Sequence, residues 1–404
     1  MPRVSFEHYK IREGAMRKLF VGVAAVMLAL GAGAAGAQES VKIGMINEYS
    51  GQFADTGNQI DHGVTLYMKQ HGDTIAGKKI EIIRKDTGGI APDIAKRLAQ
   101  ELVVRDNAEI FGGFSLTPNA LASADISAQA KRFMVVMNAA TSVITEKSPY
   151  IARTSSTTPQ LNYTLGQWAA KNGIKTVYTM VSDYGPGIDA ETWFQKGFKE
   201  GGGEVLGSVR FPVANPDFSA FIQAAKDKNP DAIYIWIPGG AQPAAVGKAL
   251  SERGIDAKKT KILGQDALAS ESALASMGDA SIGIITVSDY DFNHQSPMNK
   301  EFVKVYNDEF HRNPDFFSIG GYDGAHLIYA ALEKTGGKAD GDTLIAAAKG
   351  LGWESPRGPI MIDPDTRDIV QTVYIRRVEK TPAGLLNVEF DSVPKVKDPA
   401  HGSK

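Results

Sequence analysis

AEIFGGFSLTPNALASADISAQAKRFMVVM, residues 108–137, reads as a strand, a helix and a second strand. The runs AEIFGG (108–113) and RFMVVM (132–137) are short and apolar, and a helix is predicted from Pro118 to Lys131 between them, with proline where a first turn tolerates it. Strands joined through a helix lie parallel, so this unit predicts a parallel sheet with helices on its faces. The same rhythm extends toward the N-terminus: VKIGMI (41–46), a helical segment near 57–71, KIEIIRKD (79–86), and a helix from Pro92 to Arg105. In that last helix Ile94, Leu98 and Leu102 fall at i, i+4 and i+8, which predicts one buried stripe.

Toward the C-terminus the rhythm restarts after YIARTS (150–155). A helix with Leu161, Leu165 and Trp168 precedes KTVYTMVSD (175–183), and EVLGSVRF (204–211), DAIYIWI (231–237), KILG (261–264) and IGIITVS (282–288) follow with helical segments between them. A second sheet is therefore expected. Two helices then come in succession, one carrying Met298, Phe302, Tyr306 and Phe310, the other near 320–335, and helix after helix breaks the βαβ pattern. The chain closes on a hairpin, GPIMI (358–362) and VQTVYIRRVE (370–379) around the polar turn DPDTRD (363–368). No Pro/Ser/Gly linker separates the halves. These features predict an α/β protein of two doubly wound lobes built from discontinuous segments: 40–154 plus 288–357, and 155–287 plus 358–395, with a C-terminal tail at 396–404. Several strand-like crossings join the halves.

Residues 1–37 are an N-terminal extension and a secretory signal peptide. Met16-Arg17-Lys18 precedes an apolar run from Leu19 to Leu30, and Ala35-Gly36-Ala37 supplies a cleavage site. The polar stretch before Met16 fits neither signal nor fold, which leaves open whether Met1 or Met16 is the true start. Cleavage after Ala37 removes five basic and two acidic side chains and takes the net charge from -2 to -5. Lys and Arg are spread singly, without the cationic stripe that nucleic-acid binding needs. The absence of cysteine excludes disulfides, thiolate catalysis and Cys-ligated zinc, and it suits an oxidising periplasm.

Enzyme motifs do not survive inspection. GDTIAGKK (72–79) has P-loop spacing but lacks the Ser or Thr for magnesium, and it follows a helix and precedes a strand, so it reads as a turn. The histidines show no metal spacing, Ser115 lacks the second glycine of a nucleophile elbow, and Asp363, Asp365 and Asp368 read as a solvated turn rather than a calcium loop. No cofactor and no metal are implied. What remains is a set of polar residues directly after predicted strands: Ser115, Thr117 and Asn119; Asn138 and Thr141; Asp183 and Tyr184; Gln265 and Asp266. Such loops converge at the carboxyl edge of a doubly wound sheet, where hydroxyls and helix N-termini can hold a carboxylate. The same residue types also cap helices.

IGMINEYSGQFADTGNQ (43–59), GGFSLTPNALA (112–122), NAAT (138–141), SDYGPG (182–187), NPDFSAFIQAAKDKNPDAI (215–233) and GGYDGAHLIYAAL (320–332) together resemble the leucine/isoleucine/valine-binding protein family across nearly the whole chain after residue 40. The resemblance implies a type I periplasmic binding protein with three interlobe crossings, and a hinge at those near Arg153–Ser156, Thr286–Asp289 and Arg357–Gly358. It implies a non-enzymatic substrate-binding component of an ABC importer, a monomer that captures a small organic acid or amino acid by hinge closure and delivers it to an inner-membrane permease. By motif position the ligand carboxylate would meet Phe114, Ser115, Thr117, Ala139 and Thr141, while on the other lobe Tyr184 would line the site and Asp266 would take the place of the acid that meets a ligand ammonium. Two positions depart from the amino-acid binders: Gly239 stands where they place a tyrosine, and Asp266 where they place a glutamate. SDYGPG, ESPRGP (354–359) and the LTP loop are similar to a branch that binds aromatic acids, which implies an aromatic carboxylate flanked by rings such as Phe53, Phe114, Tyr184, Trp236 or Tyr322. A ligand-sensing receptor domain of the same fold and a periplasmic enzyme are the alternatives.

Overall fold

The computed structural model describes residues 39–257 and 259–401, together with Pro2. The predicted signal peptide lies outside the described residues, as does the extension before it apart from that one proline. The first sheet is formed by β1 (Ser40–Asn47), β2 (Thr74–Ile75), β3 (Lys78–Asp86), β4 (Ile110–Gly113), β5 (Phe133–Val136) and β6 (Ile151–Arg153), in the order β2-β3-β1-β4-β5-β6. All its pairs are parallel except the short β2–β3 hairpin, which is the turn at GDTIAGKK. Side chains alternate between its two faces. Val41, Ile43, Met45, Phe133 and Val135 face a core shared with the helices Ala54–His71, Pro297–Phe310, Phe316–Lys334 and Gly341–Ala348. Ile46, Phe111, Met134 and Val136 face the helices Pro92–Val104 and Thr117–Ala130.

The second sheet contains β7 (Thr176–Ser182), β8 (Glu204–Phe211), β9 (Ala232–Trp236), β10 (Lys261–Gln265), β11 (Ile285–Ser288), β12 (Gly352–Ser355), β13 (Gly358–Ile362), β14 (Ile369–Thr381) and β15 (Gly384–Val396). Strands β8-β7-β9-β10-β11 are parallel and repeat the winding of the first sheet, β3-β1-β4-β5-β6. β14 then joins β11 antiparallel and carries β15. The protein is thus mixed α/β with two doubly wound lobes.

Three crossings connect them. After β6 the chain enters the helix Thr158–Lys171, whose Leu161 and Leu165 belong to the second core. After β11 it returns to Pro297–Phe310, whose Phe302 and Tyr306 belong to the first. Through β12 and β13 it leaves again for β14. The guanidinium of Arg357, fully buried, donates to the carbonyl of Thr154 and pairs with Asp289 and, at 2.8 Å, with Asp323. One cation therefore touches all three crossings.

Three local expectations are corrected. In the helix Pro92–Val104 the buried face is Ala95, Leu98, Ala99 and Leu102, an i, i+3, i+4, i+7 stripe, and Ile94 flanks it at 39% exposure. The turn DPDTRD is solvated only at its tip: Pro364 and Asp365 are exposed, whereas Asp363 and Asp368 are 3% and 1% exposed, because the turn packs on the edge of β6, where the Arg153 N–H donates to Arg367 O at 3.0 Å. The terminal hairpin gains a further strand, β15, whose outer half is exposed and reads as polar rather than as an apolar run.

Candidate functional site

In both sheets the strand order reverses beside the first strand of the lobe, between β1 and β4 and between β7 and β9, and the loops beyond the carboxyl ends diverge there. A cavity lies at this point, with walls from both lobes. From the first lobe come the loop after β4 (Ser115 to Thr117), the loop after β5 (Asn138, Ala140) and the start of Phe316–Lys334. From the second come the loop after β7 (Tyr184, Pro186), the end of β9 (Trp236, Pro238) and the end of β10 (Gln265, Asp266).

The first wall is built to accept an anion. Phe114 ends β4 in the left-handed region, at φ 64°, a conformation that a bulky residue adopts only under tertiary constraint. Its ring is buried on the β4 side, its N–H donates to Ile46 O and its carbonyl accepts from the Ala139 N–H. The kink turns Ser115 to the cavity. Ser115 is 3% exposed, and its hydroxyl has no protein partner. Leu116 then caps the helix Thr117–Ala130 in an extended conformation without any side-chain hydrogen bond. The hydroxyls here are therefore not spent on capping, and the first-turn N–H groups and the positive end of the helix face the same space. Thr117 shares a hydrogen bond with Thr141, Oγ1 to Oγ1 at 3.2 Å, and Asn138 Nδ2 donates to Ser115 O at 2.7 Å.

The opposite wall is aromatic and carries one acid. The rings of Tyr184 and Trp236 lie 5.8 Å apart, and those of Phe316 and Phe317, tilted by 37°, lie 3.9 Å apart on the facing side. Trp236 Nε1 donates to Gln265 Oε1 at 2.9 Å, and Asn162 Nδ2 donates to the same oxygen at 2.8 Å. Asp266 is 1% exposed. Its Oδ1 accepts from the Ala267 N–H at 2.7 Å, while Oδ2 has no partner. Burial, aided by the negative charge of Asp289, pushes its carboxyl up to about 8, so it is neutral at neutral pH.

Of the residues predicted for the site, Ser115, Thr117, Tyr184 and Asp266 meet at the cavity. Gly239, at φ 92°, stands beside it: a β-carbon there would lie 3.6 Å from Ala267 and 3.9 Å from Phe317, both on the cavity wall, so a side chain at this position would enter the same space. Phe114 and Ala139 lie behind the wall, their backbones bonded to each other. Thr141 is also one step back, holding Thr117 and hydrogen-bonding Asp189 of the second lobe. Phe53 is buried against the loop at Gly240, 3.3 Å from where a β-carbon would sit. Tyr322 is remote: its ring packs on Tyr67 and Phe302 and its hydroxyl donates to Gln70. Phe316 and Phe317 were missed because the helix was placed from 320 onward; the capping pair Asp315 and Ser318 marks the true start.

The periplasmic binding protein family matches residues 40–383 of this sequence. The chain belongs to that family. Leu/Ile/Val-binding protein homolog 6 of Brucella melitensis is 39% identical to this periplasmic binding protein over 95% of this chain and 99% of its own. A solute-binding protein of an ABC transporter from Rhodopseudomonas palustris, solved in complex with 3,4-dihydroxy benzoic acid, is 52% identical, with a TM-score of 0.87 over 90% of this chain and 99% of that one. Another from R. palustris, in complex with 4-hydroxybenzoate, is 40% identical with the same TM-score over the same shares. These are transport proteins rather than enzymes, and the family places its members in the periplasm.

Proposed function

We propose that this periplasmic binding protein captures an aromatic carboxylate bearing a ring hydroxyl and presents it, lobes closed, to an inner-membrane ABC permease. The observation that carries the reading is a pair of buried, unpartnered oxygens on opposite walls, Ser115 Oγ and Asp266 Oδ2, in a cavity that aromatic rings also line. Buried polar atoms without partners cost free energy, and a ligand that satisfies both recovers it. A carboxylate suits the first wall, where an uncapped helix start and a free hydroxyl converge. A phenolic hydroxyl suits Asp266, since a neutral carboxyl donates and accepts with a neutral partner, whereas an α-ammonium calls for an anion.

The relatives support the same class, the 52% identical one holding a dihydroxylated benzoic acid. A branched-chain amino acid is the second reading, favoured by the names of the curated relatives. The hinge belongs to the proposal too: lobes of residues 40–154 plus 288–357 and 155–287 plus 358–395 rotate about the crossings that Arg357 ties together. Export through cleavage after Ala37 completes it.

Calorimetry tests the assignment. 4-Hydroxybenzoate should bind more tightly than benzoate by on the order of tenfold, a gap that closes in Asp266→Ala. Ser115→Ala should weaken both ligands by about 1–3 kcal/mol, and Thr141→Ala by less, because it acts through Thr117. Asp266→Asn should change little, since an amide still donates and accepts. Tight leucine or valine binding, abolished by Asp266→Asn while hydroxybenzoates stay silent, would overturn the reading.

A further inference from the structure

The turn 363–368 and the segment 397–401 form a buried ionic cluster behind the first wall of the cavity. Arg153, fully buried on β6, donates from its guanidinium to the carbonyls of Ala139 at 3.0 Å, Thr141 at 2.9 Å and Ser142 at 3.3 Å. It thus fixes the backbone of the loop that carries Asn138 and Ala140 into the cavity and Thr141 onto Thr117. Its Nε pairs with Asp368 at 2.9 Å. Asp368 also accepts from Thr145 Oγ1 at 3.2 Å and meets His401 Nε2 at 3.0 Å. The chain beyond β15 closes the cluster: Lys397 pairs with Asp363 at 2.8 Å, Asp398 accepts from the Ser142 hydroxyl, and the His401 ring reaches Glu146 at 3.3 Å, Asp398 at 3.8 Å and the Ser142 carbonyl at 3.3 Å.

The charge balance depends on His401. Among the described residues, the carboxylates facing its ring are Asp368 and Asp398, both buried, and the half-exposed Glu146. Asp189 adds a fourth negative charge through Asp398, and Arg153 is the fixed cation in contact with the cluster. Arg367 donates to the carbonyls of Ser148 and Thr145 and Lys397 turns to Asp363, so neither neutralises Asp368 by direct contact. Loss of the imidazole proton leaves the carboxylates in excess and withdraws a donor that faces the same loop. The hydrogen bond to Asp368 holds the imidazole above its ordinary range, as the geometry requires. Although Asp368, Asp398 and His401 place their ligand atoms within 4.8 Å of one another, Arg153 already occupies the position of a cation, so the cluster is an ion network.

We propose that His401 in its protonated form is a positioning residue for the ligand loop 138–142, and that affinity for the carboxylate ligand weakens when the ring loses its proton. The inference rests on the cavity being the ligand site. Its sign is fixed: the support is present at low pH and is lost as pH rises through the raised value of His401.

The test uses the full chain as wild type, His401→Gln and His401→Arg. Calorimetric titration with 4-hydroxybenzoate between about pH 6 and about pH 8.5 should show a wild-type affinity that falls by roughly 3-fold more than that of His401→Arg, whose charge persists. His401→Gln should be weak throughout. Hydrogen exchange of ligand-free protein, compared at equal pH, should be faster over residues 139–147 in His401→Gln than in wild type, with His401→Arg restoring protection. Parallel affinity profiles in the three proteins, or equal exchange over 139–147 at the lower pH, would overturn the proposal. If 4-hydroxybenzoate binds none of them, the functional reading fails and the exchange measurement alone decides this one.

Discussion

Asp266 shows how much one side chain reports. Its carboxyl, held at about 8 by burial, stays protonated in the folded protein while an unfolded chain releases that proton near pH ~4. Between those values the folded state binds the extra proton, so this group makes stability decline as pH rises, the loss being complete above about 8. Asp266→Asn removes the effect. Thermal melts of ligand-free protein should therefore show the variant gaining on wild type as pH increases from about 4 to about 8, and a gap that does not change with pH would contradict the assignment. This residue was legible because it directly follows a strand, as do Ser115 and Tyr184. Tyr322 was not, since a tyrosine on an amphipathic helix can serve either core or ligand, and only packing on Tyr67 and Phe302 decides.

Elements were easier to read than faces. Parallel strands buried on both sides appear as continuous apolar runs, and each of β1, β4, β5, β7, β9, β10 and β11 corresponds to one. β15 escaped because its outer half is exposed and carries Asp391, Pro394 and Lys395. The helix Pro92–Val104 illustrates the limit of spacing alone: i, i+4, i+8 and i, i+3, i+4, i+7 share Leu98 and Leu102, and alanines fill the rest of the true face. Urea unfolding distinguishes them. Leu98→Ala should cost about 2–5 kcal/mol by leaving a cavity on the buried face of the helix, and Ile94→Ala about 0.5 kcal/mol or less. The start of Phe316–Lys334 was misplaced by four residues, which hid two rings of the cavity wall.

For the whole molecule, Arg357 is the test of how the crossings hold together. It is fully buried with Asp289 at 3% and Asp323 at 1% side-chain exposure, so Arg357→Met would leave two carboxylates unpaired in the interior. A loss of about 3–5 kcal/mol in equilibrium unfolding is expected; a change below about 1 kcal/mol would mean that the three segments are held by packing alone. The discontinuous lobes also set an order of assembly. The strands of the first sheet end at Arg153, but the helices that cover one of its faces, Pro297–Phe310 through Gly341–Ala348, are synthesised only after β7 to β11. Val41, Ile43 and Met45 are met early by the helix Ala54–His71, but the rest of their cover lies some 250 residues away or more, and closing so large a loop is slow. The block from Thr158 to Ser288, whose strands and helices follow one another without interruption, is able to collapse first. The first lobe is therefore completed only when the last third of the chain has been made, so a chain cut before Pro297 would leave Val41, Ile43 and Met45 without most of their cover.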